Sequence, residues 1–198
     1  MRLPIVNQTQ LDIRPIDWAG LPRRFMNPGE LEVLVALARE VAPAAVVEIG
    51  VNQGRTALVL LHNVPSIARY CGVDVPPGTV LPLPVQAKEV PAQAGELALH
   101  DPRFRLILRA RGSLDLTPAD DDLPLPADFV FIDGDHSRAA VEHDSRLARA
   151  LCRPGGMIVW HDYHDLGTVD VREVLEELAV AGAPIAAVAG TWLAFMRV

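Results

Sequence analysis

Five polar stretches stand out because each follows an apolar run: Glu48-Ile49-Gly50, Asp74, Gly112-Ser113, Asp133-Gly134-Asp135-His136 and His161-Asp162. Gly50 and Gly54 bracket the loop Gly50-Val51-Asn52-Gln53-Gly54. Glycines let the backbone pass close to a ligand, and a helix starting after such a loop offers unpaired N–H groups. Asp74 lies 24 residues beyond Gly50, at the end of the next apolar run. A carboxylate there can accept from both hydroxyls of a ribose, in charge-assisted bonds worth about 1.5–3 kcal/mol each. A glycine turn with this acid reads as a site for a nucleoside-containing cofactor, without saying which one.

These residues need a scaffold that brings strand ends together. Val46 to Ile49, Tyr70 to Val73, Phe104 to Leu108, Phe129 to Ile132 and Met157 to Trp160 are short apolar runs, several rich in β-branched residues. Between them lie helical stripes: Leu31, Leu34, Val35, Ala38 and Val41, then Arg55 to Leu61, then Ala140, Val141, Leu147 and Leu151, and finally Val171, Val174, Leu175 and Leu178. Asn27-Pro28 reads as an N-cap and first position for the first helix. A weak helix is expected over Val85 to Leu99, and a closing hairpin over Ile185 to Val188 and Trp192 to Val198 around Gly190. Apolar strands alternating with helices imply a Rossmann-like, doubly wound α/β fold: a mostly parallel sheet with helices on both faces and a C-terminal antiparallel hairpin. Right-handed crossovers place all the strand carboxyl ends on one edge, so the polar stretches should converge there. Residues 1–26 read as an N-terminal arm and residues 27–198 as a single domain.

The loop details narrow the cofactor. A dinucleotide fingerprint wants G-x-G-x-x-G, and a Walker A loop wants Gly-Lys-Ser/Thr; neither is present. Val46-Val47-Glu48-Ile49-Gly50-Val51-Asn52-Gln53-Gly54-Arg55-Thr56 instead resembles motif I of class I S-adenosylmethionine-dependent methyltransferases. The stretch Phe129 to Tyr163, with its IDGDH, RPGG and HDY elements, resembles the branch of small-molecule O-methyltransferases that includes modifiers of macrolide sugars. The resemblance implies S-adenosylmethionine as cofactor, with Glu48, Gly50, Asn52 and Gly54 around its methionine end. It puts Asp74 on the ribose, Gly112 and Ser113 beside the adenine, and Asp133 near the reacting centre. Several relatives bind a divalent cation, Mg²⁺ or Mn²⁺, and the matching positions are Asp133, His161 and Asp162. His161 departs from the acidic pair of those relatives, and imidazole suits Mg²⁺ poorly. His136 is the candidate general base, since its unperturbed pKa lies near neutrality. Asp144 falls on the buried stripe of its helix and reads as a partner for a neighbouring loop.

The implied activity is methyl transfer to a small-molecule acceptor, at a hydroxyl oxygen. Two rivals share the sheet: a nicotinamide-dependent oxidoreductase, disfavoured by the glycine spacing, and a non-catalytic nucleoside-binding descendant. Composition sets outer bounds. Of 198 residues, 50% are hydrophobic and 22% charged, enough for a sizeable core. The formal net charge of −7 disfavours nucleic acid as a partner. Arg103, Arg105, Arg109 and Arg111 are the local exception, read either as solvating a strand or as an anion-attracting rim. Cys71 and Cys152 fit a reducing cytoplasm. Ala179 to Met196 carries no charge, but Gly182, Pro184 and Gly190 break it into short elements, so a membrane anchor is not expected. The short chain leaves room for a homodimer that completes the acceptor pocket.

Overall fold

The computed structural model describes residues 2–21, 26–86 and 89–198. Eight strands form one sheet: β1 (Ile5–Val6), β2 (Ala45–Ile49), β3 (Arg69–Asp74), β4 (Phe104–Leu108), β5 (Ala127–Ile132), β6 (Cys152–Trp160), β7 (Ala186–Val188) and β8 (Ala194–Arg197), in the order β1-β7-β8-β6-β5-β2-β3-β4. Four α-helices accompany them: α1 (Glu30–Val41), α2 (Arg55–Asn63), α3 (Arg138–Leu151) and α4 (Val171–Val180). The pairings of β2 with β3, β2 with β5, β3 with β4 and β5 with β6 are parallel, while β8 runs antiparallel between β6 and β7. This is the doubly wound, mostly parallel sheet with a closing antiparallel pair that the sequence pattern predicts. The register aligns the strand ends: Ile49 lies opposite Val73 and Ile132, and Ile132 opposite Trp160. Gly50, Asp74, Asp133 and His161 therefore leave the sheet side by side.

Side chains alternate across the sheet, because successive residues of a strand point to opposite faces. Val46, Phe129, Phe131, Met157 and Val159 meet α1 and α2, and Val47, Val130, Ile132, Ile158 and Trp160 meet α3 and α4. Each fully buried aliphatic or aromatic side chain contributes about 1.5–3 kcal/mol, so these two layers hold the sheet flat against its helices. Trp160 is buried to 1% exposure and donates its indole N–H to Ser145 Oγ at 3.1 Å.

Several details depart from the pattern. Helix α1 starts at Glu30 rather than Pro28, because Gly29 adopts φ 90° and the Glu30 carboxylate reaches back to the Asn27 N–H. No α-helix spans the described part of 85–99; a 3₁₀ turn at Pro84–Gln86 is followed by turns, and residues 87–88 lie outside the described residues. Pro91 removes a donor, and the backbone bonds elsewhere: Gly95 N to Asn52 O at 2.7 Å and Leu97 N to Gln53 O at 3.0 Å. The segment is thus stapled to the glycine loop. In the expected arm, Ile5–Val6 pairs in parallel with β7, while residues 1 and 22–25 lie outside the described residues. The uncharged stretch Ala179 to Met196 divides into the end of α4, β7 and β8, and no described helix is long and apolar enough to cross a membrane. Cys71 and Cys152 are buried free thiols.

Candidate functional site

The glycine loop and Asp74 form one rigid unit. Val51 N–H and Asn52 N–H donate to Asp74 Oδ2 at 2.9 and 2.7 Å, and Val75 N–H donates to Oδ1 at 2.7 Å. Burial raises the Asp74 carboxyl, against the pull of these three donors. Gly50 is indispensable here: its φ is 85°, and a Cβ would lie 2.1 Å from the Asp133 carbonyl oxygen. The two strand ends touch because this residue has no side chain. Asn52, at φ 49°, accepts Gln53 N–H on its side chain and donates to the Glu89 carbonyl.

Beside this unit lies an acid–imidazole cluster after β5 and β6. His161 Nδ1 stands 3.2 Å from Asp133 Oδ1 and 3.0 Å from Asp162 Oδ2, and its Nε2 is 3.2 Å from Glu30 Oε2. Burial opposes the imidazolium, but Asp133, Asp162 and Glu30 outweigh it and hold His161 well above its ordinary pKa. Burial likewise works against the Asp133 carboxylate, yet His161 and His136 keep it well below the usual range. His136 Nε2 lies 3.2 Å from Asp162 Oδ2 and 3.5 Å from Asp133 Oδ1 without a directed hydrogen bond to either; burial opposes its charged form, but Asp133, Asp162 and Glu89 outweigh it and raise its pKa. Asp162 sits at φ 59°, a strained conformation for a non-glycine residue and one that concentrates at functional sites.

Ligand atoms of Asp133, His136 and Asp162 all lie within 4.8 Å of one another. An orphaned imidazole nitrogen facing two carboxylates is a donor set that fits a divalent cation, Mn²⁺ better than Mg²⁺. This set brings in His136 beside the expected Asp133 and Asp162, while His161, the other expected position, keeps Nδ1 3.2 and 3.0 Å from the same two carboxylates with its far nitrogen facing Glu30.

Both ends open into one cavity of about 690 Å³. Gly50, Asn52, Asp74, Gly112, Ser113 and Asp133 line it, as do His136, His161 and Asp162. Glu48 and Gly54 do not. Glu48 shares strand parity with Val46, so it points into the α1–α2 layer, where it is 1% exposed and accepts the Tyr70 O–H at 2.9 Å. Burial holds its carboxyl well above the usual range. Gly54 instead precedes α2 at φ 85°, packed against the Gly95 backbone. Beyond the acid cluster the wall turns apolar and aromatic, through Trp18, Met26, Leu31 and Trp192, with the His164 ring tilted against Trp192 at a centroid distance of 4.3 Å. Each of the four arginines has an acidic neighbour, Arg103 with Asp101, Arg105 and Arg109 with Asp122, and Arg111 with Asp115, and Arg111 also lines the cavity.

Three contributors escape sequence reading. Glu30 also accepts Trp192 N–H at 2.5 Å, tying α1 to the closing strands. Gln86, 1% exposed, donates to the Gly134 carbonyl at 2.9 Å and accepts His136 N–H at 3.0 Å, clamping the Asp133 loop. His164 reaches the cavity from an irregular segment. Only Glu30 left a trace, as an acid in the first turn of a helix, and that reads equally as a dipole partner.

Comparisons with known proteins agree with this architecture. A family model described as a methyltransferase domain matches residues 47–163. An uncharacterized protein of Acanthamoeba polyphaga mimivirus is 29% identical over 119 residues, covering 60% of this chain and 51% of that protein, so the match spans about half the relative's length. An O-methyltransferase from Bacillus cereus, solved in complex with SAH, superposes with a TM-score of 0.59 at 17% identity, covering 91% of this chain and 86% of that one. The O-methyltransferase TomG from Streptomyces achromogenes, involved in tomaymycin synthesis and solved with SAM, gives 0.57 at 20% identity, covering 89% and 83%. At these identities the structural likeness concerns the fold.

Proposed function

The chain belongs to the methyltransferase-domain family, and from that premise we propose that it transfers the methyl group of S-adenosylmethionine to a hydroxyl oxygen of a small-molecule acceptor. The observation that carries this reading is Asp74, held by the N–H groups of the Gly50–Gly54 loop at one end of a cavity whose other end carries Asp133, His136 and Asp162. In this reading Gly50 and Asn52 bound the methionine end, Asp74 accepts from the ribose hydroxyls, and Gly112 and Ser113 flank the base. The cofactor supplies an already activated methyl group, so the protein has to align the acceptor and take up its proton.

Asp133 and Asp162 orient the acceptor hydroxyl, and His136 in its neutral form, with Nε2 3.2 Å from Asp162 and 3.5 Å from Asp133, takes up the proton when no cation holds that nitrogen. A divalent cation held by Asp133, His136 and Asp162 would supply Lewis acidity that lowers the hydroxyl's pKa. Trp18, Met26, Leu31 and Trp192 form the acceptor wall, which supports an acceptor with an apolar body. The net charge of −7 and the paired arginines favour a small molecule over nucleic acid as the partner.

Titration calorimetry with S-adenosylhomocysteine tests the cofactor assignment. One-to-one binding is expected, and silence at millimolar ligand overturns it. Repeating the titration with Mn²⁺, and following thermal unfolding, tests the cation: stabilisation by Mn²⁺ that disappears in Asp162→Asn is expected, and an equal response in both proteins removes the cation from the scheme.

A further inference from the structure

Asp144 sits on α3 with 0% exposure, and neither carboxylate oxygen meets a hydrogen-bond donor. Leaving a buried carboxylate unpaired is costly, and the ordinary remedy is to keep it protonated. The side chain that steadies its charge is Ser113, in the 3₁₀ turn Gly112–Asp115 that follows β4. The preceding helix residue grips the same serine from its backbone: His143 Nε2 lies 2.9 Å from the Ser113 carbonyl oxygen. His143 therefore anchors the backbone of Ser113, Asp144 is the next residue of α3 and makes no hydrogen bond, and Ser113 itself lines the cavity.

Strand order identifies what that side meets. β3 lies between β2 and β4, so a nucleoside whose ribose rests on Asp74, at the end of β3, extends its base toward the turn after β4. Val75, Leu114 and Ala140 line the same cavity as Ser113, apolar surface suited to a flat ring. We propose that Asp144 is a positioning residue for the adenine end of the cofactor site, deciding through its own proton whether the Ser113 hydroxyl donates into the cavity or back into the protein. This rests on the cofactor reading above.

The two states differ in hydrogen-bond direction. The neutral carboxyl donates to Ser113 Oγ, leaving the serine O–H to donate to a ring nitrogen of adenine. The carboxylate instead accepts the serine O–H, and the cavity then faces only a lone pair. Burial raises the Asp144 carboxyl to about 7; Asp135 pushes the same way, His136 opposes it, and His143 lies alongside. Covering the slot with a base deepens the burial and favours the neutral form again. Both effects make the base bind more tightly below neutrality and more weakly above it.

Adenosine is the cleanest probe, because it has no group that titrates near neutrality and does not extend to His136. Its affinity for the wild-type protein should fall about three- to tenfold between about pH 6 and pH 8, tenfold corresponding to one unit of coupling. In Asp144→Asn the amide donates permanently, so binding should stay at the low-pH level across the range. Ser113→Ala should bind weakly and with a smaller slope than the wild-type protein, since only the burial effect on Asp144 remains. A wild-type slope retained in either variant, or no slope in the wild-type protein, overturns the role of Asp144 while leaving the cofactor site standing. Failure of the wild-type protein to bind both adenosine and S-adenosylhomocysteine at any pH overturns both.

Discussion

The two ends of the cavity are built on opposite principles. At the Asp74 end, three backbone N–H groups converge on one carboxylate, and all come from the two loops that follow β2 and β3. Backbone donors are fixed by the chain path, so this end is organised before anything binds. At the Asp133 end, charge is balanced by side chains from α1 and from the segments after β5 and β6, with one imidazole nitrogen left unpartnered. The first end is complete as a platform. The second gathers ionisable side chains that can exchange a proton or take a cation, as the proposed reacting centre would require. Electrostatic preorganisation and chemical responsiveness thus occupy different parts of one cavity.

The largest expected effect comes from the point where the ends touch. Gly50→Ala drives a Cβ to within 2.1 Å of the Asp133 carbonyl at a backbone φ of 85°. Steric overlap with backbone and left-handed strain together should cost at least about 4 kcal/mol, giving little soluble protein or a much lower unfolding midpoint. Near-normal stability would mean that the two strand ends can separate freely. Next, Asp74→Asn should weaken S-adenosylhomocysteine by about 2–3 kcal/mol, a loss of about 30- to 150-fold by calorimetry, while Mn²⁺ stabilisation persists. Simultaneous loss of the cation response would show that the two ends are not independent.

The smallest effect belongs to the support of the second end. Glu30→Gln keeps the shape but removes the negative charge beside His161, and should cost about 1–2 kcal/mol at neutral pH in denaturant unfolding. Burial would raise the Glu30 carboxyl, but His161 and Asn27 hold it below its ordinary value. A depressed carboxyl stabilises above its unfolded pKa of about 4.3, and that contribution disappears as pH falls through the folded value. The difference between the two proteins should therefore be full near neutrality and vanish in acid. A pH-independent difference would assign the loss to packing instead of charge.

Legibility in the sequence follows the same divide. Strands β2 to β6 declare themselves by apolar runs, and the residues that end them are already named in order. Gly50, Asp74, Asp133 and His161 needed only the parallel arrangement to become neighbours. Glu48 shows the limit: it belongs to the matching motif, yet its strand parity turns it toward Tyr70 and away from the cavity. The segment after Asp74 shows another, because Gly95 and Leu97 donate to Asn52 and Gln53 and the other backbone bonds close separate turns instead of a continuous helix.

The sequence by itself determined the doubly wound sheet and the edge where its polar strand ends meet, because periodicity and glycine placement are local properties that survive any packing detail. Tertiary structure alone decided that two imidazoles, His136 and His161, both face the two aspartates, that Glu30 and Gln86 brace them, and that Asp144 is buried without a hydrogen bond. Those choices depend on contacts between residues up to 162 positions apart, such as Glu30 with Trp192, and no local pattern encodes which distant partner a buried charge will find.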